Sequence, residues 1–260
     1  MEDLGSGWVG IERDPRGVAC LTIENAAKLN TLNTPVMKAL IDAAGRLATD
    51  VTLRVVVLRG AGDRAFVGGA DIGEMATLDQ VGASNFISLV HSTCEAFRRL
   101  PVPVIAAIQG WALGAGLELA AACDLRVAST DARFGMPEVR VGLPSVVEAA
   151  LLPGLIGWGR TRRLLLSGET IEAETAAAWG LVEEVVSRGE LNQAVARLVD
   201  GILASGPHAI RLQKQLIREW ESLPMDAAIQ RGIACFTSAW DTDEPQRLMQ
   251  RFIRRPRSSA

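Results

Sequence analysis

The segment from residue 103 to residue 122 constrains the fold of this chain more than any other segment. It begins with the buried-strand pattern Val104-Ile105-Ala106-Ala107-Ile108, passes through a turn that contains Gly110, Gly114 and Gly116, and ends in an alanine-rich helical pattern. A strand that leads through a glycine-rich turn into a helix is typical of α/β proteins. The theme recurs loosely after the β-branched run from Val55 to Leu58, so we expect an α/β core.

Local signals towards both ends of the chain extend this interpretation. Pro15 followed by Gly17 predicts a turn between two short strands, so we expect the chain to open with a hairpin. Thr34-Pro35 is typical of a helix start, with Thr34 as the N-cap and proline in the first helical position. From Leu191 onward the pattern is helical only. We therefore expect a core over residues 1–190 and a helical C-terminal part over residues 191–260.

Composition excludes several classes of function. The chain has 260 residues with 27 basic and 30 acidic side chains, a formal net charge of −3, and 48% apolar residues. This balance argues against a nucleic-acid-binding protein that depends on bulk charge, and against disorder. The sequence contains no run of about 18 apolar residues, so we expect no membrane span. The N-terminus lacks the basic start and apolar run of a secretory signal, and we expect a cytoplasmic protein.

Cysteine and histidine are placed unfavourably for a metal site. The four cysteines are far apart in sequence and include no C-x-x-C pair, and the chain has only two histidines, His91 and His208. Neither a disulfide framework nor a zinc site is therefore predicted, and we expect reduced, packed thiols. Triads that depend on histidine are also poorly supported.

Two glycine-rich segments follow predicted buried strands and are candidate binding loops. They cover residues 66–72, Phe-Val-Gly-Gly-Ala-Asp-Ile, and residues 110–118, Gly-Trp-Ala-Leu-Gly-Ala-Gly-Leu-Glu. Glycines after a strand let a ligand approach the main chain, and amides at a helix N-terminus favour negative charge. One alternative is that the glycines only permit tight turns. A dinucleotide-binding loop is disfavoured because Leu119 stands where that fingerprint needs a small residue.

These segments, together with others along the chain, resemble the crotonase superfamily, also called the enoyl-CoA hydratase/isomerase family. The matching segments cover nearly the whole chain: residues 28–32, 66–75, 105–124, 134–138, 176–182 and 236–255. The resemblance implies an α/β spiral of strand-strand-helix units with a helical C-terminal part that supplies trimer contacts, often with two trimers stacked into a hexamer. It also implies an acyl-CoA thioester substrate and no separate cofactor, because coenzyme A is part of the substrate.

The resemblance assigns catalytic groups position by position. The main-chain amides of Ala70 and Ala115 would hold the thioester oxygen, where such donors stabilise the charge of an enolate-like state. Glu118 and Glu138 match the glutamate pair of the family's hydratases. We expect Glu118 to activate water for attack on the β-carbon and Glu138 to deliver a proton to the α-carbon. Without the family, a helical glutamate is most often solvated, but Glu118 has apolar neighbours and so needs a partner or a function.

Two regions of the sequence are assigned to coenzyme A by the same resemblance. The residues near the start are Lys28, Leu29, Ala70, Asp71 and Ile72, and those near the end are Phe252 and Arg255 on the C-terminal helix of a neighbouring subunit. Taken alone, the arginines of residues 251–257 are equally typical of a solvated basic tail.

One segment departs from the pattern of the family's hydratases. Those relatives have a proline and a glycine-rich run after the second glutamate, whereas this chain has Gly142-Leu143-Pro144-Ser145-Val146-Val147-Glu148-Ala149-Ala150. Ser145 and Glu148 have the spacing of a capping box at a helix start. We therefore interpret Glu148 as a helix cap rather than as a third catalytic acid.

Three functions remain as hypotheses. The first is an enoyl-CoA hydratase, which adds water reversibly and with syn stereochemistry to a trans-2-enoyl-CoA. The second is an isomerase or another enolate-forming acyl-CoA enzyme, for which one carboxylate suffices. The third is a noncatalytic scaffold that binds RNA through the C-terminal arginines, and the net charge of −3 argues against it.

Overall fold

Strands in two sheets and a series of helices make up residues 2–3 and 7–253, the part of the chain that the computed structural model describes. Seven strands form the larger sheet: Glu2–Asp3 (β1), Val9–Arg13 (β2), Val18–Ile23 (β3), Val55–Gly60 (β4), Val104–Ile108 (β6), Leu125–Ser129 (β8) and Glu184–Val186 (β11). Their spatial order is β1-β2-β3-β4-β6-β8-β11. The first three strands pair antiparallel, and every pairing from β3 to β11 is parallel.

Four short strands form the smaller sheet: Ala65–Val67 (β5), Trp111–Leu113 (β7), Arg133–Gly135 (β9) and Thr170–Glu172 (β10). Their order is β10-β9-β7-β5, and β5, β7 and β9 are parallel. The successive pairs β4–β5, β6–β7 and β8–β9 each place one strand in the larger sheet and the next in the smaller sheet. Helical segments follow each pair, so the predicted α/β spiral of strand-strand-helix units is confirmed.

The helices connect these strand pairs and then continue alone to the end of the described chain. They are Thr34–Ala48 (α1), Ile72–Met75 (α2), Gln80–Arg98 (α3), Ala115–Ala122 (α4), Leu152–Ser167 (α5), Ala173–Trp179 (α6), Leu191–Leu203 (α7), Pro207–Trp220 (α8), Met225–Ser238 (α9) and Glu244–Ile253 (α10). Short 3₁₀ helices cover Ala26–Lys28, Glu138–Val141, Val147–Leu151, Arg188–Glu190 and Ala239–Asp241. Within residues 7–253, no helix combines the length and the apolar character that a membrane crossing requires.

The central strands of the larger sheet are covered on both faces, which explains their continuous apolar sequences. Val56 and Leu58 of β4 face the main core, where helices α1, α3 and α4 also bury their apolar side chains. Val55 and Val57 point to the opposite face and pack with Leu191 and other residues of α7. The helix α7 therefore belongs to the packed core although it follows residue 190, and the functional division at residue 190 stays a prediction.

The predicted hairpin is confirmed, whereas the predicted cap of α1 is wrong by one residue. Strands β2 and β3 pair across the turn that contains Gly17. The N-cap of α1 is Asn33, whose Oδ1 accepts a hydrogen bond of 2.9 Å from the main-chain N–H of Val36. Thr34 cannot serve as the cap because its hydroxyl and its main-chain N–H both donate to the carboxylate of Glu74.

An ion pair between the buried Lys214 and the partly exposed Asp124 joins the C-terminal helices to the core. The ammonium group of Lys214 on α8 lies 2.7 Å from Oδ2 of Asp124 and donates to the carbonyl oxygen of Val102 at 2.8 Å. Asp124 also accepts from the main-chain N–H of Val104, so it fixes the start of β6. Asp124, which follows the alanine-rich helix, therefore has a structural role.

Replacing Lys214 by alanine should destabilise the fold, because Asp124 would lose its oppositely charged partner and the carbonyl oxygen of Val102 would lose a hydrogen-bond donor. We expect the free energy of unfolding to fall by about 2 kcal/mol, less than for a fully buried pair because a third of the Asp124 side chain is exposed. Chemical denaturation measures the change. Lys38→Ala on the exposed face of α1 is the matched control, and equal stability of the two variants would contradict the prediction.

Candidate active site

The two glycine-rich loops lie side by side because the strands that precede them are parallel neighbours. Strand β5 pairs with β7, and Ala70 and Ala115 follow the carboxyl ends of these two strands. Gly69 adopts a φ of +115° and lies so close to β7 that an added Cβ would be 3.2 Å from the carbonyl oxygen of Leu113. The structure therefore brings together the two loops that were predicted to bind an oxyanion.

The main-chain N–H groups of Ala70 and Ala115 are free to donate hydrogen bonds to a ligand. The main-chain N–H of Leu32 donates to the carbonyl oxygen of Gly69, and the carbonyl oxygen of Leu32 accepts from the main-chain N–H of Asp71. The amide of Ala70, which lies between these two bonds, therefore points away from Leu32. Ala115 is the first residue of α4, where main-chain N–H groups lack partners in their own helix. Neither amide donates a hydrogen bond to any residue within 2–3 or 7–253.

Glu118 lies one turn further along α4 and is buried. Its carboxylate group is held by the main-chain N–H of Ala149, which donates to Oε1 at 3.3 Å. Burial raises the pKa of Glu118 to about 8, and the negative charges of Glu138 and Glu148 act in the same direction. At neutral pH this carboxyl group is therefore mostly protonated.

Glu138 follows strand β9 of the smaller sheet and lies near the start of α4. It begins a 3₁₀ turn after β9, and Oε2 accepts a hydrogen bond of 2.7 Å from the hydroxyl group of Ser145. Its other oxygen lies against Gly114, where a Cβ would collide with Oε1. The half-buried Glu138 thus faces Gly114, the residue that precedes the first residue of α4. The glutamates assigned from the sequence are brought together.

The prediction that Glu148 caps a helix is wrong. The 3₁₀ helix Val147–Leu151 begins after Val146 without a side-chain cap, and the Ser145 hydroxyl group donates to Glu138 instead. The side chain of Glu148 is only 4% exposed, and its Oε1 lies 2.7 Å from Nδ1 of His91 on α3. Glu148 therefore joins the carboxylate cluster.

Sequence reasoning missed Glu148 and His91, although one signal was present. Glu148 stands in the apolar run Val146-Val147-Glu148-Ala149-Ala150, the same environment that marked Glu118 as unusual. Nothing local marks His91, which reaches the site only because α3 packs against the 3₁₀ helix Val147–Leu151.

The Cys94 thiol is part of the same buried cluster. It is fully buried one turn after His91 on α3. Burial, with the charges of Glu148 and Glu118 close by, raises the pKa of Cys94 well above its ordinary value. The thiol stays protonated and does not act as a nucleophile.

The residues assigned to coenzyme A near the start of the sequence form one connected surface. The main-chain N–H of Gly68 donates to the carbonyl oxygen of Leu29 at 2.8 Å, and the ammonium group of Lys28 lies 3.2 Å from Asp71. The side chain of Asp71 in turn caps α2 by accepting a hydrogen bond from the main-chain N–H of Glu74. Ile72, at the start of α2, is 62% exposed. The five residues, Ala70 included, lie together at the edge of the oxyanion loops.

Asn30 holds the loop of this surface in shape. Leu29 and Asn30 both have left-handed backbone conformations, with φ values of 57° and 55°. The buried amide of Asn30 donates to the carbonyl oxygens of Ala61 and Ala65, both at 2.9 Å, and accepts from the main chain of Asn25. These bonds fix an unfavourable turn, which is typical of a functional loop.

Of the two residues assigned near the C-terminus, the structure describes only the backbone of Phe252. Phe252 lies in α10, whose Glu244 accepts hydrogen bonds from the N-terminal amides of α8. Arg255 lies outside the described residues. Their role at coenzyme A stays a prediction.

Comparison with known proteins gives one consistent result. The sequence model of the enoyl-CoA hydratase/isomerase family matches residues 13–258. The short-chain-enoyl-CoA hydratase of Clostridium acetobutylicum is 35% identical over 91% of this chain and 91% of its own length, and the crotonyl-CoA hydratase of Syntrophomonas wolfei is 33% identical over 93% and 94%. A crystal structure of enoyl-CoA hydratase from Bacillus anthracis superposes with a TM-score of 0.91, at 30% identity over 94% of this chain and 95% of that one.

The raised pKa of Glu118 predicts a stability change with pH. In the unfolded chain this carboxyl group ionises near its ordinary pKa of 4.5, whereas in the folded protein it stays protonated up to about pH 8. The free energy of unfolding of the unsubstituted protein therefore falls by about 1.4 kcal/mol for each unit that the pH rises across that interval. Glu118→Gln removes this fall, because glutamine does not ionise. We expect the stability of Glu118→Gln relative to the unsubstituted protein to increase from pH 5 to pH 8 in urea denaturation. A constant difference over this range would contradict the assigned protonation.

Proposed function

The chain belongs to the enoyl-CoA hydratase/isomerase family, and on that premise we propose that it catalyses the reversible syn addition of water to a trans-2-enoyl-CoA. The observation that carries this proposal is the placement of Glu118 and Glu138 beside two main-chain amides without partners. Hydration needs one ionised group to activate water and one protonated group to supply a proton, and a pair of neighbouring carboxyl groups tends to hold a single proton. The relatives named as short-chain-enoyl-CoA and crotonyl-CoA hydratases support the same reaction.

The amides of Ala70 and Ala115 are proposed to bind the thioester oxygen. Attack at the β-carbon makes the α-carbon enolate-like and moves negative charge onto this oxygen. Two donors fixed before the reaction stabilise that charge, each by about 3 kcal/mol. The N-terminal end of α4 adds its partial positive charge at the same place.

The two glutamates have different roles in the proton transfers of this reaction. We assign Glu118 to the water and Glu138 to the proton that reaches the α-carbon. Glu118 must ionise before it can act as the base, and its buried position makes this step sensitive to pH. Glu138 receives a hydrogen bond from Ser145, which orients its carboxyl group.

Coenzyme A is proposed to lie along the surface formed by Lys28, Leu29, Ala70, Asp71 and Ile72. An exposed ammonium group beside an exposed apolar side chain suits a ligand that carries both phosphates and a pantetheine arm. Phe252 and Arg255 of a neighbouring subunit would complete the nucleotide end. No further cofactor is assigned.

A homotrimer or homohexamer is proposed as the assembly. Helices α8, α9 and α10 and the 3₁₀ helix Ala239–Asp241 expose large apolar side chains that a monomer would leave in water: Ile217, Trp220, Met225, Ile229, Ile233, Phe236, Trp240 and Met249. An exposed apolar surface of this extent is typical of a protein interface. Light scattering of the purified protein gives the number of subunits.

Isomerisation of a double bond is the second candidate function. The same oxyanion site would serve it, but a single carboxyl group suffices to move the proton. The presence of two glutamates near the start of α4, Glu138 against Gly114 and Glu118 within the helix, favours hydration. A noncatalytic role is disfavoured because a scaffold has no use for a buried carboxyl group with a raised pKa.

Glutamine variants separate hydration from isomerisation. We expect Glu118→Gln and Glu138→Gln each to lower kcat for crotonyl-CoA hydration by about 10²-fold to 10⁴-fold, because each removes one proton-transfer group. Loss of the absorbance of the conjugated thioester measures the rate. Asp63→Asn, on an exposed loop away from the cluster, is the control. A large loss in only one glutamine variant would favour isomerisation, and no turnover of any enoyl-CoA by the unsubstituted protein would exclude both.

The pH dependence of hydration tests whether the two glutamates work with a single shared proton. The active form has Glu118 ionised and Glu138 protonated, and this form is lost when the pair gives up its proton. We therefore expect kcat/KM to stay level up to about pH 8 and to fall about tenfold per pH unit above it. Initial rates at low crotonyl-CoA concentration, corrected for stability at each pH, give the profile. A kcat/KM that rises as the pH passes 8 would contradict the shared proton.

A further inference from the structure

Glu148 is a buried acid to which the proposed reaction gives no part. The residue is only 4% exposed, and its Oε2 has no hydrogen-bond partner among the described residues. Its Oε1 lies 2.7 Å from Nδ1 of His91, a residue of α3. A buried carboxylate group is costly unless a partner compensates it. The contact with His91 therefore anchors the side chain of Glu148 to α3.

His91 is a firm point of attachment although its own ring is half exposed. The neighbouring turns of α3 bury Phe86, Val90, Cys94 and Phe97, all of which belong to the main core. Close packing of these side chains fixes the helix, and with it the position of His91.

The residue before Glu148 has a strained backbone. Val147 adopts a φ of +39°, in the left-handed region that β-branched residues rarely occupy. A strained conformation of this kind persists only where the contacts around it hold it in place. The contact between Glu148 and His91 is such a restraint, because it acts on the residue that follows directly.

The residue after Glu148 reaches Glu118. The main-chain N–H of Ala149 is shared between the carbonyl oxygen of Val146, at 2.9 Å, and Oε1 of Glu118, at 3.3 Å. The bond to Glu118 is the longer of the two, and hydrogen bonds weaken steeply with distance and misalignment. A small shift of Ala149 would therefore release the carboxyl group of Glu118.

The restraint on Glu148 acts on this bond through a single peptide unit. Glu148 and Ala149 are consecutive residues of the 3₁₀ helix Val147–Leu151, which packs against both α3 and α4. One hydrogen bond ties this turn to His91 on α3, and the next residue ties it to Glu118 on α4. The turn thus transmits the position of His91 to Glu118.

We propose that His91 and Glu148 are a positioning pair, whose contact holds the Ala149 N–H on Oε1 of Glu118 and leaves Oε2 of Glu118 for the reacting water. Within residues 2–3 and 7–253, Oε2 of Glu118 accepts no hydrogen bond. The bond from Ala149 also favours the ionised form of Glu118, which is the form that activates water. The inference rests on the proposed hydration for the role of Glu118, whereas the contacts themselves do not depend on the reaction.

Two substitutions of His91 test the pair. Asparagine can present a side-chain N–H to Glu148 as Nδ1 does, whereas alanine cannot. With crotonyl-CoA near neutral pH, we expect kcat of His91→Ala to fall about tenfold to a hundredfold, because a small displacement of a reacting group suffices for such a loss. KM should change little, since the proposed coenzyme A surface is not altered. His91→Asn should keep most of the activity of the unsubstituted protein.

Ser92→Ala is the matched control on the same helix. Ser92 is exposed and follows His91 directly, and its hydroxyl group donates to the carbonyl oxygen of Ser88 within α3. We expect kcat and KM of this variant to equal those of the unsubstituted protein. An unchanged kcat in His91→Ala, or equal losses in His91→Ala and His91→Asn, would overturn the positioning role. His91→Leu, which keeps the bulk of the ring without a donor, should behave as His91→Ala does.

A titration without turnover separates this inference from the proposed function. Carbon-13 NMR of protein labelled at glutamate follows the ionisation of Glu118, whose resonance is the one missing from Glu118→Gln. Loss of the Ala149 bond disfavours the ionised carboxylate. The midpoint for Glu118 should therefore lie at higher pH in His91→Ala than in His91→Asn.

The comparison of these two variants isolates the hydrogen bond from other charges. Both lack the imidazole ring, and both retain the titratable groups that face Glu118, which are Glu138, Glu148 and Cys94. Equal midpoints would overturn the positioning pair even in an active enzyme. If the unsubstituted protein hydrates no enoyl-CoA, the proposed function fails, while the difference in midpoint still decides whether His91 and Glu148 hold Glu118.

Discussion

Close packing of α4 against β5 is the contact on which the whole site depends. Gly116 lies so near the main chain of β5 that a Cβ would collide with the carbonyl oxygen of Val67. Only this approach lets the first amide of α4 lie beside the loop after β5. The same short helix carries Glu118 one turn further on, so a single element supplies a hydrogen-bond donor, a partial positive charge and an acid. Their relative positions are therefore as rigid as the helix itself.

Burial gives the glutamate cluster its chemistry and also makes it costly to fold. Three carboxyl groups, those of Glu118, Glu138 and Glu148, meet among alanine, valine and cysteine side chains. Their mutual repulsion and the lack of water keep Glu118 protonated at neutral pH. The strained backbone at Val147 adds to this cost. The large double-sided core of the main sheet offsets it, since most of the apolar side chains of the chain lie there.

The sequence predicts well those features that depend on neighbours in the chain. The strand, turn and helix around Gly114 follow from local pattern, and Glu118 is conspicuous because apolar residues flank it. Glu148 has similar flanks, but the spacing of Ser145 and Glu148 also fits a capping box, and that local rule assumes a helix start at Ser145. The backbone at Val147 breaks this assumption. The contact with His91 spans 57 residues and depends on how α3 packs, which no local pattern contains.

The loop fixed by Asn30 has a consequence for selectivity. Its hydrogen bonds hold the turn at Leu29 and Asn30 before any ligand arrives, so a bound thioester does not have to order it. Every coenzyme A ester carries the same nucleotide and would gain the same free energy from this surface. Discrimination between short, long or branched acyl groups then falls to residues outside this surface. Substitutions at such residues can change the acyl preference without weakening the contribution of the preformed loop to binding.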